Sequence, residues 1–238
     1  MIRLSKHHGL GNDFLVALDV EVDADLARTL CDRRRGVGAD GLISVVGDLW
    51  TLYNADGSRA ESSGNGLRCA AQAVARSRGV AHLDITFETR VGPRAVLLRG
   101  DVATVDMGPV TVHRLGDTDA EVSTGNPHLV LRVEDPTAVD LVALGEAHPE
   151  VNVEVISAGP EPDSLAFRVH ERGVGITMAC GTGSVAAAAA AHAWRMVGPQ
   201  VVVHNPGGDV TVLLQENQAL LTGETVWVAD VEVELSCP

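Results

Sequence analysis

Two short strings carry the chemistry of this chain, Ser63-Gly64-Asn65-Gly66 and Cys180-Gly181-Thr182-Gly183. In each, a small side chain of the nucleophile type precedes a Gly-x-Gly turn that opens an Ala-rich helix. The free N–H groups of a helix start, at the positive end of its dipole, attract anions. Two such ends suggest a trap for one small acidic substrate, with a reactive side chain at each. Cys180 is the strongest single candidate. A thiol at a helix start is expected to have a lowered pKa and a larger thiolate fraction, and so to act as base or nucleophile. A lone cysteine is more often a small buried hydrophobe, but the flanking Gly-x-Gly favours the reactive reading. Neither string ends in the Gly-Lys-Ser/Thr of a phosphate-binding P-loop.

Other polar clusters interrupt apolar sequence. They are His8-Gly-Leu-Gly-Asn12-Asp-Phe, Tyr53-Asn54-Ala-Asp56-Gly, Gly125-Asn126-Pro-His128, Asn152 and Glu171-Arg172-Gly-Val-Gly. Asn supplies donors and an acceptor without charge, and Arg supplies a fork for a carboxylate, so together they could hold an amino acid by both ends. Taken singly, each has a plainer reading. Asn-Ala-Asp-Gly and Gly-Asn-Pro are ordinary turns, His128 reads as a core histidine, and Glu171-Arg172 reads as a surface pair worth little.

The elements that must position these residues follow from periodicity. Alternation rich in Val, Leu and Thr predicts strands at 15–20, 41–46, 95–106, 128–133, 151–156, 165–170, 201–204, 210–214 and 225–235. Clear helices are expected from Asn65 to Arg78, stopped by Gly79, and from Thr182 to Met196, stopped by Gly198-Pro199. Weaker helical patterns cover Asp23–Arg33, with Asp23 as N-cap, and Ala138–Glu146. The run Ala186 to Ala191 has almost no side-chain bulk, which suits a helix enclosed on all sides. A weak helix precedes a Gly-x-Gly helix twice, so an internal duplication is the economical reading, with its boundary after Asp106-Met-Gly-Pro109. A cleft between two such lobes is a favoured place for a small ligand.

Bulk numbers narrow the partners. The chain has 238 residues, 45% of them hydrophobic, and a formal net charge of −14. That charge argues against nucleic acid and anionic membrane surfaces, which need basic patches. No apolar run is long enough to span a bilayer, and the N-terminus lacks a signal pattern, so a cytoplasmic location is expected. The four cysteines, Cys31, Cys69, Cys180 and Cys237, show no metal-ligand spacing and read as free thiols in a reducing compartment. Structural metal is not expected.

Taken in order, these strings resemble the diaminopimelate epimerases, amino-acid epimerases that work without pyridoxal phosphate. The resemblance runs from His8 through Asn54, Gly64-Asn65-Gly66-Leu-Arg68-Cys69, Gly125–His128 and Asn152 to Glu171–Gly175 and Ala179–Gly183. It implies an α+β fold of two pseudo-symmetric lobes, each a mostly antiparallel, barrel-like sheet wrapped round a central helix. The lobes are expected at 1–112, completed by the strand 225–238, and at 113–224. The resemblance implies no organic cofactor and no metal, a small amino-acid substrate between the lobes, and a homodimer. It also implies two catalytic side chains on opposite faces of the substrate Cα. Cys180 stands at one of these positions, and His128 and Glu171 orient the reacting ammonium. Gly64, Asn65, Gly181 and Thr182 would bind the carboxylate, and Asn12, Asn54, Asn126, Asn152 and Arg172 the other polar groups.

The chain departs from that pattern in three respects. Ser63 stands where the family has its other catalytic cysteine, and a hydroxyl is a far weaker acid than a thiol. Ile176 replaces a usual acidic residue, and the connections around Thr89–Arg99 are trimmed. The expected function is therefore an epimerase of the diaminopimelate type, with Cys180 abstracting the Cα proton and Ser63 at the second position. The alternatives are a one-base lyase or proton-shift isomerase, and a non-catalytic amino-acid binder.

Overall fold

The computed structural model describes residues 1–216 and 218–234. Cys237 and the end of the strand expected at 225–238 lie outside the described residues. In chain order the elements are β1 (Ile2–Gly9), β2 (Asn12–Leu18), α1 (Ala24–Cys31), β3 (Gly41–Val46), β4 (Leu49–Asn54), α2 (Gly64–Arg78), β5 (His82–Thr89), β6 (Gly92–Arg99) and β7 (Val102–Asp106). They continue as β8 (Thr111–Leu115), β9 (Asp119–Ser123), β10 (Pro127–Arg132), α3 (Leu141–Ala147), β11 (Asn152–Ala158), β12 (Ser164–Glu171), β13 (Gly175–Thr177), α4 (Gly181–Ala193), β14 (Gln200–Asn205), β15 (Gly208–Leu214), β16 (Ala219–Glu224) and β17 (Val226–Val233). This is an α+β fold, dominated by strands.

The chain divides into two compact units, Met1–Thr104 with the segment from Glu224 onward, and Val105–Gly223. In the first unit the strands run β17, β1, β2, β3, β4, β5, β6. Successive ladders are antiparallel, antiparallel, parallel, antiparallel, parallel and antiparallel. The second unit runs β8, β9, β10, β11, β12, β14, β15 with the same succession of directions. A parallel step needs a crossover, and every one here contains a helix. α1 and α2 fill the two crossovers of the first unit, and α3 and α4 those of the second. One topology is thus written twice, as the internal order of the sequence suggests.

Each unit encloses its Gly-x-Gly helix. α2 packs on β1, β2, β3, β5, β6 and β17, and α4 packs on β8 to β12, β14 and β15. Every residue of α4 from Gly181 to Ala191 is buried, and the alanines let strands close in from all directions. α2 is buried from Gly64 to Ala75 and ends at Gly79, whose φ of 67° is the left-handed conformation that terminates helices. Arg76 and Arg78 occupy its last turn, where cations suit the dipole. Asp23 caps α1 through the Leu26 N–H at 2.8 Å.

Several strands differ from their sequence patterns. The run expected over 95–106 is a hairpin, broken at Gly100 with φ of 63°, into β6 and β7. β1, β4, β5, β8, β9, β13 and β16 were not anticipated. β1 carries Lys6, His7 and His8 in its interior, which hides its alternation, and β8 is largely exposed. α4 stops at Ala193, three residues before Met196, because Trp194 caps it and Arg195 turns to φ 60°. α3 begins at Leu141, not Ala138, because Asp140 accepts the Ala143 N–H and fixes the start there. Among the described residues, no helix is long and apolar enough to cross a membrane.

Candidate active site

Cys180 lies at the N-cap of α4 in extended conformation. Its sulfur accepts the Gly183 N–H at 3.3 Å and lies 3.4 Å from Thr182 Oγ1. Glu171, at the end of β12, accepts from Thr177 Oγ1 on β13 at 2.5 Å, and its charge acts on the same sulfur. The β12–β13 hairpin pairs Glu171 with Gly175 and so returns Thr177 and Cys180 toward that carboxylate. In the neighbouring strands, His128 of β10 sits opposite Asn152 of β11. His128 is buried, with Nδ1 2.7 Å from Glu154 Oε1 and Nε2 3.1 Å from both Thr124 Oγ1 and Asn126 Oδ1. Asn152 Oδ1 accepts the Arg172 backbone N–H at 2.9 Å, and its Nδ2 leans on the Pro127 carbonyl at 3.4 Å, joining the ends of three strands. The Arg172 residue is exposed.

The electrostatics reverse one expectation. Burial, with the charges of Glu171 and Glu154, pushes the Cys180 thiol well above its ordinary value, and the contacts from Thr182 and the Gly183 N–H only partly oppose this. The helix end alone would lower the pKa. Here burial and two carboxylates outweigh it, so the thiol is held toward its protonated form. Burial likewise raises Glu171, against the hydrogen bonds from Thr177 and Cys180. The other described cysteines are poorer candidates still, since burial lifts Cys31 to about 12 and Cys69 to about 11.

The first unit has a matching helix start with different surroundings. Ser63 caps α2, its Oγ accepting the Gly66 N–H at 3.0 Å. Asn65 in the first turn gives a hydrogen bond to Asn12 Oδ1 at 3.1 Å and receives one from Arg68 Nη2 at 2.8 Å. Asn12 in turn donates to Asp40 Oδ2 at 2.9 Å. Asp40 and Asp13 share Arg33, and Lys6 completes the cluster 2.9 Å from Asp13. Asn54 folds back on its own turn and donates to Ser58 Oγ at 3.0 Å. The amide faces of Asn12 and Asn65 are thus aimed by a charged network.

Four groups of this machinery were not anticipated from sequence. Glu154, fully buried, holds His128, and Thr177 and Thr124 hold Glu171 and His128. The Asp13–Arg33–Asp40–Lys6 cluster orients Asn12. A signal existed for Glu154, because it is the one charged residue in the apolar run Val151–Ile156 and shares a strand face with Asn152. Ile176 is exposed and points its apolar side chain outward between Gly175 and Thr177. Among the described residues, no group of three or more His, Cys, Asp and Glu side chains is placed to hold a metal ion.

The family model for diaminopimelate epimerase matches residues 4–113 and 121–228. The chain belongs to the diaminopimelate epimerase family. Among relatives of this family, the diaminopimelate epimerase of Thermobifida fusca is 40% identical, over 99% of this chain and 99% of the relative. That of Mycobacteroides abscessus is 38% identical over 98% of this chain and 96% of the relative. The fold of the family also recurs at low identity. A probable proline racemase from Agrobacterium radiobacter, crystallised with carbonate, superposes with a TM-score of 0.80 at 18% identity, covering 99% of this chain and 94% of that one.

Proposed function

We propose that the chain is a cofactor-independent amino-acid epimerase of the diaminopimelate type, acting in the cytoplasm, with Cys180 as the group that exchanges the Cα proton. The observation that carries this reading is the Cys180 sulfur itself. It accepts the Gly183 N–H at the start of α4, and the Glu171 carboxylate acts on its proton. In the reaction the Cys180 thiolate takes the Cα proton, and the C–H electron pair moves into the adjacent carboxylate. The N–H groups of the helix start stabilise that developing charge. Ser63 occupies the second proton-transfer position, and a proton delivered to the far face completes inversion. Gly64, Asn65, Gly181 and Thr182 serve the carboxylate. Glu171 and His128 serve the ammonium, and Asn12, Asn54, Asn126, Asn152 and Arg172 the remaining polar groups. A homodimer is part of the proposal and is read directly by light scattering.

A second reading draws on the neighbours of Ser63. Ser63 Oγ accepts a backbone hydrogen bond, from the Gly66 N–H at 3.0 Å, and a serine hydroxyl is a far weaker acid than a thiol. A serine is a weak proton carrier unless another group activates it, which favours one-base chemistry by Cys180, either a proton shift or an elimination. Incubation with LL-diaminopimelate in D2O separates the two. Inversion with deuterium at Cα supports the epimerase. Exchange without inversion, or release of ammonia, supports the one-base reading. Neither exchange nor release, for diaminopimelate or for monoamino acids, overturns both.

A further inference from the structure

Glu154 is the most unusual group in the second unit that the proposed reaction leaves without a role. It is a carboxylate at 0% exposure, set in the middle of an apolar strand. One oxygen lies 2.7 Å from His128 Nδ1, and the other, Oε2, has no hydrogen-bond partner. A buried carboxylate oxygen left unpaired is costly and needs a reason. The oxygen that His128 holds, Oε1, is the one that borders the start of α4. A Cβ placed on Gly183 would lie 2.6 Å from Glu154 Oε1 and 3.2 Å from Cys180 Sγ, so carboxylate and sulfur border the same point at the start of α4. Only glycine leaves room there for the carboxylate to approach the helix start.

The charges that face Cys180 come from four sides. The β12 strand brings Glu171, β11 brings Glu154, β10 brings His128 behind Glu154, and α4 itself supplies the Thr182 hydroxyl and the Gly183 N–H. His128 satisfies one oxygen of Glu154 and leaves the other without a partner. Two carboxylates beside one sulfur make a thiolate there a third negative charge in a dry space, where Coulomb repulsion is poorly screened. Binding of a substrate ammonium would reverse that balance.

We propose that Glu154 is a positioning residue that lodges an under-compensated negative charge beside Cys180, keeping the sulfur protonated until a substrate cation neutralises the cluster. The thiol then releases its proton only in the loaded site, and the free enzyme is shielded from alkylation and oxidation of its reactive sulfur. This rests on the reading of Cys180 as the proton-transfer group.

The test is the pH profile of iodoacetamide alkylation in the absence of substrate, read at the Cys180 peptide by mass spectrometry. In the wild type the midpoint is expected above the roughly 8.5 of an ordinary thiol. Glu154→Gln, which keeps shape and removes charge, is expected to lower the midpoint by about one unit, giving about tenfold faster labelling on the acid side of both midpoints. Glu154→Leu, similar in volume and without polar atoms, is the second variant and is expected to shift the profile in the same direction. A purely structural Glu154 would lower the thermal midpoint and leave the alkylation midpoint in place, and that result overturns the proposal. A wild-type midpoint at or below the ordinary value overturns it however the variants fold. Alkylation needs no turnover, so the two readings fail separately. A shifted profile in a protein that exchanges no Cα proton defeats the epimerase reading alone. An unshifted profile in an active enzyme defeats this one alone.

Discussion

The starts of α2 and α4 are built to one plan and differ in what lies beside them. Both are capped by a small side chain that accepts the N–H three residues on, Ser63 from Gly66 and Cys180 from Gly183. Both helices fill the second parallel crossover of their unit, and β3 and β11 hold equivalent places in the two ladders. On β3 the residue nearest the helix start is Ile43, and on β11 it is Glu154. The backbone halves of the two helix starts therefore match, while the side-chain halves do not. Cys180 lies among carboxylates that govern its proton. Around Gly66, at the start of α2, the nearest side chains besides Ser63 are Trp50 and Ile43, which cannot take or give one. Repeating a fold reproduces its hydrogen-bonding frame, and the acid–base chemistry is then set by a few positions facing that frame.

The largest effect is expected from removing the sulfur. Cys180→Ala should reduce Cα-proton exchange by about 10³-fold, within the range for loss of a general acid or base. Ser63→Ala should cost less exchange and mainly loosen a helix cap, by about 1 kcal/mol. Deuterium incorporation measured for both variants ranks the two starts, and equal losses would break the asymmetry argued above. The converse substitution, Ser63→Cys, gives both helices a thiol. It should raise inversion relative to exchange, by up to about 10²-fold, as followed by chiral chromatography of the product. No gain in inversion would mean that the surroundings of this helix start, rather than the hydroxyl, limit the first unit.

A third comparison uses the glycines. Gly183→Ala drives a methyl into Glu154 Oε1, whereas Gly66→Ala meets neighbours no nearer than 3.2 Å. The first should destabilise the protein by about 2 kcal/mol, as overpacking of a tight site does. The second should stay within about 1 kcal/mol, because the better helix propensity of Ala offsets part of the crowding. Urea midpoints measure both. Similar losses would show that Glu154 yields easily and does not define the start of α4.

How much of this was legible in the sequence depended on what each residue had to do. The two helix starts were visible, because a small side chain and a Gly-x-Gly turn ahead of an Ala-rich run form a local pattern. So was the enclosure of α4, since an unbroken alanine run leaves no face for solvent. The duplication was visible as element order, though the ladder directions that prove it depend on pairings far apart in sequence. Hidden from view were the contacts that reverse local rules. The pKa expected for Cys180 from its helix end was wrong in direction, because Glu171 and Glu154 arrive from strands β12 and β11. Asn12 and Asn65 read as substrate ligands, and the neighbours that hold them, Asp40 and Arg68, are ones that periodicity cannot bring together. β1 was missed because His7, a core residue, counts as polar in any alternation pattern.

That same His7 provides the smallest test, and again the two units differ in sign. His7 is buried between Gln72 Oε1 at 2.7 Å and Ser5 Oγ at 2.9 Å. Burial, only partly opposed by the Gln72 hydrogen bond, lowers its pKa from 6.5 to about 4. The unfolded chain then binds this proton more readily than the folded one, so the contribution is present above pH 6.5 and is lost as pH falls toward 4. From about pH 7.5 to about 5.5 the loss should be about 1 kcal/mol. In the second unit, His204 lies between Asp209 at 2.8 Å and Glu161 at 3.0 Å. Desolvation pulls its pKa down, but the two carboxylates outweigh this and raise it. Its contribution is present below its unfolded value and fades as pH rises through the folded one, and exposed partners keep it small. Urea midpoints across that pH range, for the wild type and for His7→Gln and His204→Gln, resolve the two. Removing His7 should flatten the acid-side loss, and removing His204 should steepen it. A His7→Gln profile parallel to the wild type would mean that His7 accepts its proton without leaving the core.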